Sequence, residues 1–228
     1  MIRKFLIAAI LTMTVAAGAW AQKDGSAEKK EEAKGTPSEA AQNVQLAASL
    51  AKYGYDNMNA LSLIQAAQIV KENGIQRKDE EGESEGTVNQ GDKKNGKISL
   101  DVNQLLTDAT EYASGDKTLL ALVDKVKNTA SRGAVNGAYT TYYRVAAHGS
   151  VTFYTNFYGQ SFCEAVVVGD GDTDLDVYVY DGNWNLIDSD TDYSDRCYVS
   201  WNPRWTGKFY IKVVNRGGVY NNMYFYHN

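Results

Sequence analysis

Two kinds of hydrophobic periodicity divide the chain. Between residues 41 and 131, apolar residues recur every three to four positions, as on the buried face of amphipathic helices. Four such runs are present, separated by the helix-ending or turn sequences Asn73-Gly74 and Ser114-Gly115-Asp116. The runs are Val44, Ala47, Leu50, Ala51 and Gly54; Leu61, Ile64, Ala67, Gln68 and Val70; Val102, Leu105, Leu106, Ala109 and Tyr112; and Leu119, Leu120, Leu122, Val123 and Val126. They predict two helical hairpins.

After Arg132-Gly133 the period changes to two, which is typical of strands with one buried face. Clusters of Gly, Asp, Asn and Pro separate the runs. The runs are Val151, Phe153, Thr155 and Phe157; Cys163, Ala165 and Val167; Leu175, Val177 and Val179; Cys197, Val199 and Trp201; and Phe209, Ile211 and Val213. They predict seven or eight strands in an antiparallel β-sandwich or jelly roll over residues 134–228. The predicted fold class is α+β multidomain, with helical hairpins first.

Two segments are too polar to form a core. Residues 22–40 read as a disordered tether, and residues 75–97 as a mobile polar loop or linker. The two hairpins also align at an offset of 59, which matches Leu46 with Leu105 and Tyr53 with Tyr112. A TPR-like duplication and a chance likeness between amphipathic hairpins both remain open.

The first 21 residues have the pattern of a bacterial secretory signal peptide. Arg3 and Lys4 precede the short apolar run Phe5–Ala17, and Ala19-Trp20-Ala21 matches a small-x-small cleavage site. The alternative, a membrane anchor, needs a longer apolar run of about 20 residues. We therefore expect a secreted or periplasmic protein that does not span a membrane after cleavage.

Cys163 and Cys197 are the two cysteines of the chain, and an oxidising compartment favours a disulfide between them. The alternative is a pair of buried free thiols. Spacing alone does not separate the two readings.

Charge argues against nucleic-acid binding. The formal net charge is −5, it becomes −7 once Arg3 and Lys4 are removed, and no basic stripe is present.

Aspartates crowd the middle of the strand region, with nine between residues 170 and 195. Like charges this close raise each other's pKa and oppose folding, and a calcium ion bound by carboxylate oxygens removes that cost. An EF-hand is excluded because its positions 6 and 12 hold Leu175 and Asp181. Asp-rich turns without metal remain the alternative. The predicted calcium ligands are Asp170, Asp172, Asp174, Asp176, Asp190 and Asp192.

Aromatic residues are also concentrated here, 21 of the 26 lying after residue 133. Tyr178 and Tyr180 are in phase with Asp174 and Asp176, opposite the predicted core face. The predicted ligand-binding residues are Tyr178, Tyr180, Trp184 and Trp205, and the alternative is cross-strand pairing that covers the sheet. Trp201, in phase with Cys197 and Val199, is predicted to lie in the core.

The segment GDGDTDLDVYVYD at 169–181 resembles the central motif of bacterial pre-peptidase C-terminal domains. GKFYIKV at 207–213 and residues 219–225 resemble two later strands of that family. The resemblance covers residues 140–228. It implies a small sandwich or jelly roll, often calcium-binding, that is associated with secretion, stability or attachment to polymers such as collagen. Asp174 and Asp176 match best, and no peptidase precedes the motif.

Catalysis is not expected. His148 and His227 are the two histidines, no nucleophile-elbow, zinc-protease or phosphate-loop motif is present, and the plentiful carboxylates leave a hydrolase as one alternative. The preferred interpretation is a secreted, non-catalytic accessory or binding protein with a calcium-binding β-domain. The other alternative is an adhesin that binds a polysaccharide or an extracellular matrix protein through exposed Tyr and Trp residues.

Overall fold

The computed structural model describes residues 35–86, 96–130 and 139–228. The predicted signal peptide (1–21) and residues 22–34 of the predicted tether lie outside these ranges. The helices are α1 (Glu39–Asp56), α2 (Ala60–Glu72), α3 (Val102–Tyr112) and α4 (Lys117–Asn128). The strands are β1 (Gln76–Arg77), β2 (Gly82–Glu85), β3 (Tyr139–Val145), β4 (Ser150–Phe157), β5 (Cys163–Gly169), β6 (Leu175–Asp181), β7 (Leu186–Asp190), β8 (Arg196–Trp201), β9 (Gly207–Asn215) and β10 (Asn221–His227).

All four helices begin at a polar residue that caps the helix. The side chains of Ser38, Asn59, Asp101 and Asp116 each accept a backbone N–H from the first turn of the helix that follows. This local chemistry and the apolar periodicity agree, and the four predicted helices are confirmed. No helix in the described part of the chain is both long and apolar enough to cross a bilayer.

The strands form two five-stranded sheets. The first sheet has the order β1-β3-β10-β5-β8 and the second β2-β4-β9-β6-β7, and every pair except the parallel β1–β3 is antiparallel. Alternate residues of both sheets meet in one hydrophobic core, where Phe153 stacks on Phe225 with ring centroids 4.5 Å apart. Trp201 belongs to this core, as predicted. The α+β class is confirmed.

The first sheet is buried on both faces. Along β5 every residue is buried, because Ala165 and Val167 face the core between the sheets while Val166 and Val168 face the helices. Val44, with the alanines of α1, packs on that second face. A strand that is buried on both faces is apolar at nearly every position, so it lacks the apolar–polar alternation of a half-exposed strand. The helical region and the sheets therefore share packed surface.

Of the predicted polar loop over 75–97, residues 87–95 lie outside the described ranges, and residues 75–86 differ from the expectation. Gln76–Arg77 pairs with β3 and Gly82–Glu85 pairs with β4, so this segment adds one edge strand to each sheet. These edge strands are mostly exposed, and charged side chains on an edge discourage pairing with other chains. Their polar composition therefore hid their strand character.

The end of the predicted tether, residues 35–40, is bound to the first sheet. Glu164 of β5 is completely buried, and its carboxylate accepts the backbone N–H of Ser38 at 3.0 Å and also the Ser38 hydroxyl. Tyr198 and Tyr226 donate their hydroxyls to the same carboxylate at 3.3 and 3.4 Å. The residue that caps α1 is thus fixed to the sheet by one buried acid.

The expected disulfide is contradicted, since Cys163 and Cys197 are both buried free thiols. They lie on the neighbouring strands β5 and β8, but Cys163 pairs with Trp201 while Cys197 pairs with Val167. That register separates them by four residues along the strands, about 13 Å. A disulfide requires Cα atoms less than about 7 Å apart.

We predict that Glu164→Ala lowers the free energy of unfolding by roughly 2–4 kcal/mol, because it leaves several buried donors without an acceptor. Urea unfolding measures this change. Glu164→Gln, which keeps an acceptor oxygen, should cost less, and exposed Glu83→Ala should cost under about 0.5 kcal/mol. An equal effect for Glu164→Ala and Glu83→Ala would contradict the anchoring role.

We predict two reactive thiols per unfolded chain in guanidinium without reductant, counted with a chromogenic disulfide reagent. In the native protein at pH 8 both should react slowly, because burial raises the pKa of Cys163 to about 11 and also raises that of Cys197. The thiolate is the reactive form, so reaction of Cys163 should speed up as pH rises towards 11. A count of zero in guanidinium would restore the disulfide.

Candidate functional site

Two of the predicted calcium ligands lie in the turn before β6 and are bound to backbone groups. Asp170 is completely buried and accepts the backbone and side-chain N–H groups of Asn222 at 2.9 and 2.8 Å. Asp172 accepts the backbone N–H of Gly96 at 3.1 Å. A Cβ on residue 96 would stand 2.5 Å from the carbonyl oxygen of Asp170, so glycine permits this approach. Both acids therefore tie together distant segments of the chain.

Asp190 and its neighbour Asp188 bridge the edges of the two sheets. From β7, the edge strand of the second sheet, Asp190 accepts the backbone N–H of Tyr198 at 2.9 Å and Asp188 that of Ser200 at 3.0 Å. Both N–H groups belong to β8, the edge strand of the first sheet. The role of Asp190 seen here is therefore structural.

Asp176 lies on the outer face of β6, as predicted, but its charge has a partner in the protein. Arg216, in the connection between β9 and β10, donates from Nε at 2.6 Å to Asp176 Oδ2, and the Tyr178 hydroxyl donates to the same oxygen at 2.9 Å. This carboxylate raises the pKa of Arg216. Sequence reasoning missed Arg216 because it is 40 residues away along the chain.

Asp174 keeps the unbalanced charge that the sequence predicted. Its Oδ1 is buried and has no hydrogen-bond partner among the described residues. Burial, followed by the nearby charges of Asp176 and Asp192, raises the pKa of Asp174, although Arg216 and a backbone hydrogen bond from Ser194 act against the shift. Asp192 itself accepts the Ser194 hydroxyl at 2.6 Å.

The fit to calcium is therefore partial. An orphaned carboxylate oxygen beside two further carboxylates is the type of donor that calcium binds. Within the described ranges, however, no group of three or more Asp, Glu, His or Cys side chains is arranged to hold a metal ion. Of the six predicted ligands, Asp174, Asp176 and Asp192 lie close enough to interact electrostatically.

A row of large side chains crosses the outer face of the second sheet. Strand pairing places Tyr154 of β4 opposite Tyr210 of β9, Tyr210 opposite Tyr180 of β6, and Tyr180 opposite Leu186 of β7. With strands about 4.8 Å apart, the row is about 14 Å long and runs across the strands. Tyr178 and Trp184 adjoin it. We call Tyr154, Tyr178, Tyr180, Trp184 and Tyr210 the aromatic face.

The rings of the aromatic face are in mutual contact. Trp184 stacks on Tyr210 with centroids 4.2 Å apart and an interplanar angle of 12°, and it lies 5.5 Å from Tyr180. Tyr178 is 6.4 Å from Tyr180, and Tyr154 is 6.4 Å from Tyr210. Trp184 remains 54% exposed and Tyr154 48% exposed. The result is a continuous aromatic surface that is open to solvent.

A strained turn holds Trp184 over the sheet. Its φ of +62° lies in the left-handed region, which bulky residues rarely adopt. Asp181 fixes the turn by accepting the backbone N–H groups of Asn183 and Asn185, both at 2.9 Å. Such strain is concentrated at functional sites, where the surrounding structure maintains it.

The structure brings together three of the four predicted ligand-binding aromatics. Trp205 is 45% exposed but lies in the β8–β9 connection beside Gly159 and Gly207, and its ring makes no ring–ring contact with the aromatic face. Sequence reasoning missed Tyr154 and Tyr210. Their outward phase was readable, but the register that aligns them with Tyr180 was not.

Comparisons with known proteins identify no family. No family model matches the chain, and no curated protein matches it. Among solved structures, the pre-peptidase C-terminal domain of a collagenase from Bacillus anthracis aligns with 39% of this chain and 76% of its own, at 11% identity and a TM-score of 0.27. A likeness this low carries no argument about function.

We predict that Asp174→Asn, without calcium, raises the melting temperature at pH 7. The folded pKa of Asp174 is raised, so ionising it costs stability above that pKa and costs nothing below the unfolded pKa of about 3.9. The gain from Asn should therefore shrink as pH falls from 7 towards 3.5. Calorimetry across this range measures it, with exposed Asp124→Asn as the control. A gain that grows on acidification would contradict the assignment.

Proposed function

We propose that this protein is a non-catalytic binding module that acts outside the cytoplasm and holds a polysaccharide on its aromatic face. The continuous, exposed row of aromatic rings with the strained Trp184 carries the proposal. We interpret the two sheets with their common core as a β-sandwich that presents this face. Export rests on the signal-peptide pattern of residues 1–21.

A sugar polymer suits this face for three reasons. Sugar rings have apolar C–H faces that pack on flat aromatic rings, while their hydroxyls stay hydrated. The row is open rather than enclosed, so a long chain can cross it without threading. The surface also lies on the outer face of the sheet, whereas an extended peptide is held best by the backbone groups of a free strand edge.

The carboxylates near the aromatic face have structural partners, which is why we propose binding without catalysis. Hydrolysis of a glycosidic bond uses two carboxyl groups placed on either side of the bond. Asp176 is paired with Arg216, and Asp181 caps the turn that carries Trp184. These acids act in holding the fold, which supports a binding role.

Calcium forms a second part of the proposal, at the end of β6. Asp174 would bind the ion through its buried oxygen, and the ion would compensate the charge there. Asp176 and Asp192 would have to turn towards the ion to complete the site, because the three side chains are not arranged to hold a metal as they stand. Binding there would stabilise the folded protein. No step of polysaccharide binding is assigned to the ion.

We predict that Trp184→Ala and Tyr210→Ala each weaken binding to a responsive polysaccharide by tenfold or more, since Trp184 offers the exposed stacking surface and Tyr210 supports its ring. A panel of soluble polysaccharides in affinity electrophoresis, followed by titration calorimetry, measures this. Trp205→Ala is the matched control, an exposed Trp outside the aromatic face, and should change binding less than twofold. Binding to collagen in place of every polysaccharide would overturn the assigned ligand class.

We predict that calcium raises the melting temperature of the wild type and that EGTA reverses the rise. Ligand at a hundredfold excess over its Kd adds about 2.7 kcal/mol of stability. Asp174→Asn should lose most of the calcium response, while Asp188→Asn, outside the proposed site, should keep it. A wild-type melt that does not respond to calcium would exclude this part of the proposal.

A further inference from the structure

A lysine lies over the aromatic face. The Nζ of Lys208, on β9, is 4.2 Å from the ring centroid of Tyr154 and 5.5 Å from that of Tyr210. Both distances are within the range of cation–π attraction. Lys208 is exposed and forms no ion pair with any residue that the structure describes. Its charge is therefore held in place by aromatic rings and not by an acid.

Two further cations, Lys212 and Arg216, follow Lys208 along the chain, and each has a carboxylate partner. Lys212 follows Tyr210 by two residues on β9, so its side chain lies on the same face of the sheet. It forms an ion pair with Glu85 at 2.8 Å. Arg216 forms one with Asp176 at 2.5 Å. Lys208, Lys212 and Arg216 recur every four residues, and of the three only Lys208 lacks a carboxylate partner among the described residues.

Acidic side chains lie farther off, beyond Tyr154. Glu83 lies on the edge strand β2, and Glu81 comes just before it. Both line a cleft of about 370 Å³ with Tyr143 and Tyr154. From the strand pairings, the Cα atoms of Glu83 and Lys208 are about 16 Å apart, so Glu83 is not an ion-pair partner of Lys208. The negative charge of Glu81 and Glu83 disfavours anions beyond Tyr154.

We propose that the aromatic face selects a polysaccharide that carries carboxylate groups, and that Lys208 receives one of them. This inference rests on the proposed function. A sugar chain that packs on the open face of Trp184 and continues along the row past Tyr210 brings its substituents to the Lys208 ammonium beside Tyr154. The three N–H donors of that ammonium suit a carboxylate. Lys208 is then a specificity-determining residue, while the rings supply binding that is independent of charge.

The test compares polymers that share a backbone and differ in charge. Polygalacturonate is set against its methyl ester, and carboxymethyl cellulose against hydroxyethyl cellulose, each titrated with the full-length mature protein. We expect the acidic member of at least one pair to bind fivefold or more tightly, and the difference to fall as salt rises from 20 to 300 mM, since charge screening weakens it.

Variants assign that difference to Lys208. Lys208→Gln should remove the preference for the acidic polymer and leave the neutral polymer within twofold. Lys212→Gln is the matched control, because it makes the same change in net charge on the same strand, and it should retain the preference. Equal loss in both variants would overturn the assignment to Lys208.

Two other results distinguish the failure of charge selection by Lys208 from the failure of polysaccharide binding itself. If acidic and neutral polymers bind equally and Trp184→Ala weakens both, the charge selection is wrong and the proposed function stands. If no polysaccharide binds, or Trp184→Ala changes nothing, the proposed function fails and the inference falls with it.

Discussion

Burial of the first sheet on both faces constrains every other part of this molecule. Strand β5 packs against the second sheet with Ala165 and Val167 and against the helices with Val166 and Val168. Among the residues that the structure describes, the outer face of the second sheet is the broad sheet surface left in contact with solvent. The aromatic rings lie on that surface, which the helices leave uncovered because they pack on the first sheet.

Short-range chemistry was readable from the sequence, and long-range pairing was not. The helices follow from local periodicity and capping residues such as Ser38 and Asp116, and the core strands follow from alternation. The edge strands β1 and β2 were hidden because one exposed side removes the apolar signal. The disulfide prediction failed because chain separation says nothing about the four-residue offset between Cys163 and Cys197.

The acidic segment shows the same limit. The sequence correctly predicted repulsion between neighbouring carboxylates at Asp174. The partners of the other aspartates come from distant parts of the chain that no local motif indicates: Asn222 for Asp170, Gly96 for Asp172, and Arg216 for Asp176. For the aromatic face, phase along one strand identified Tyr178 and Tyr180. Alignment with Tyr154 and Tyr210 required the register of three strands, which is set by the whole core.

Asp188 and Asp190, which join the edges of the two sheets, also affect the tendency of the protein to aggregate. An edge strand with unsatisfied N–H groups invites a strand from another molecule and begins fibril growth. On β8 the amides of Tyr198 and Ser200 are already occupied by Asp190 and Asp188. If the proposed polysaccharide binding holds many copies close together, these two hydrogen bonds protect them from pairing with one another through this edge.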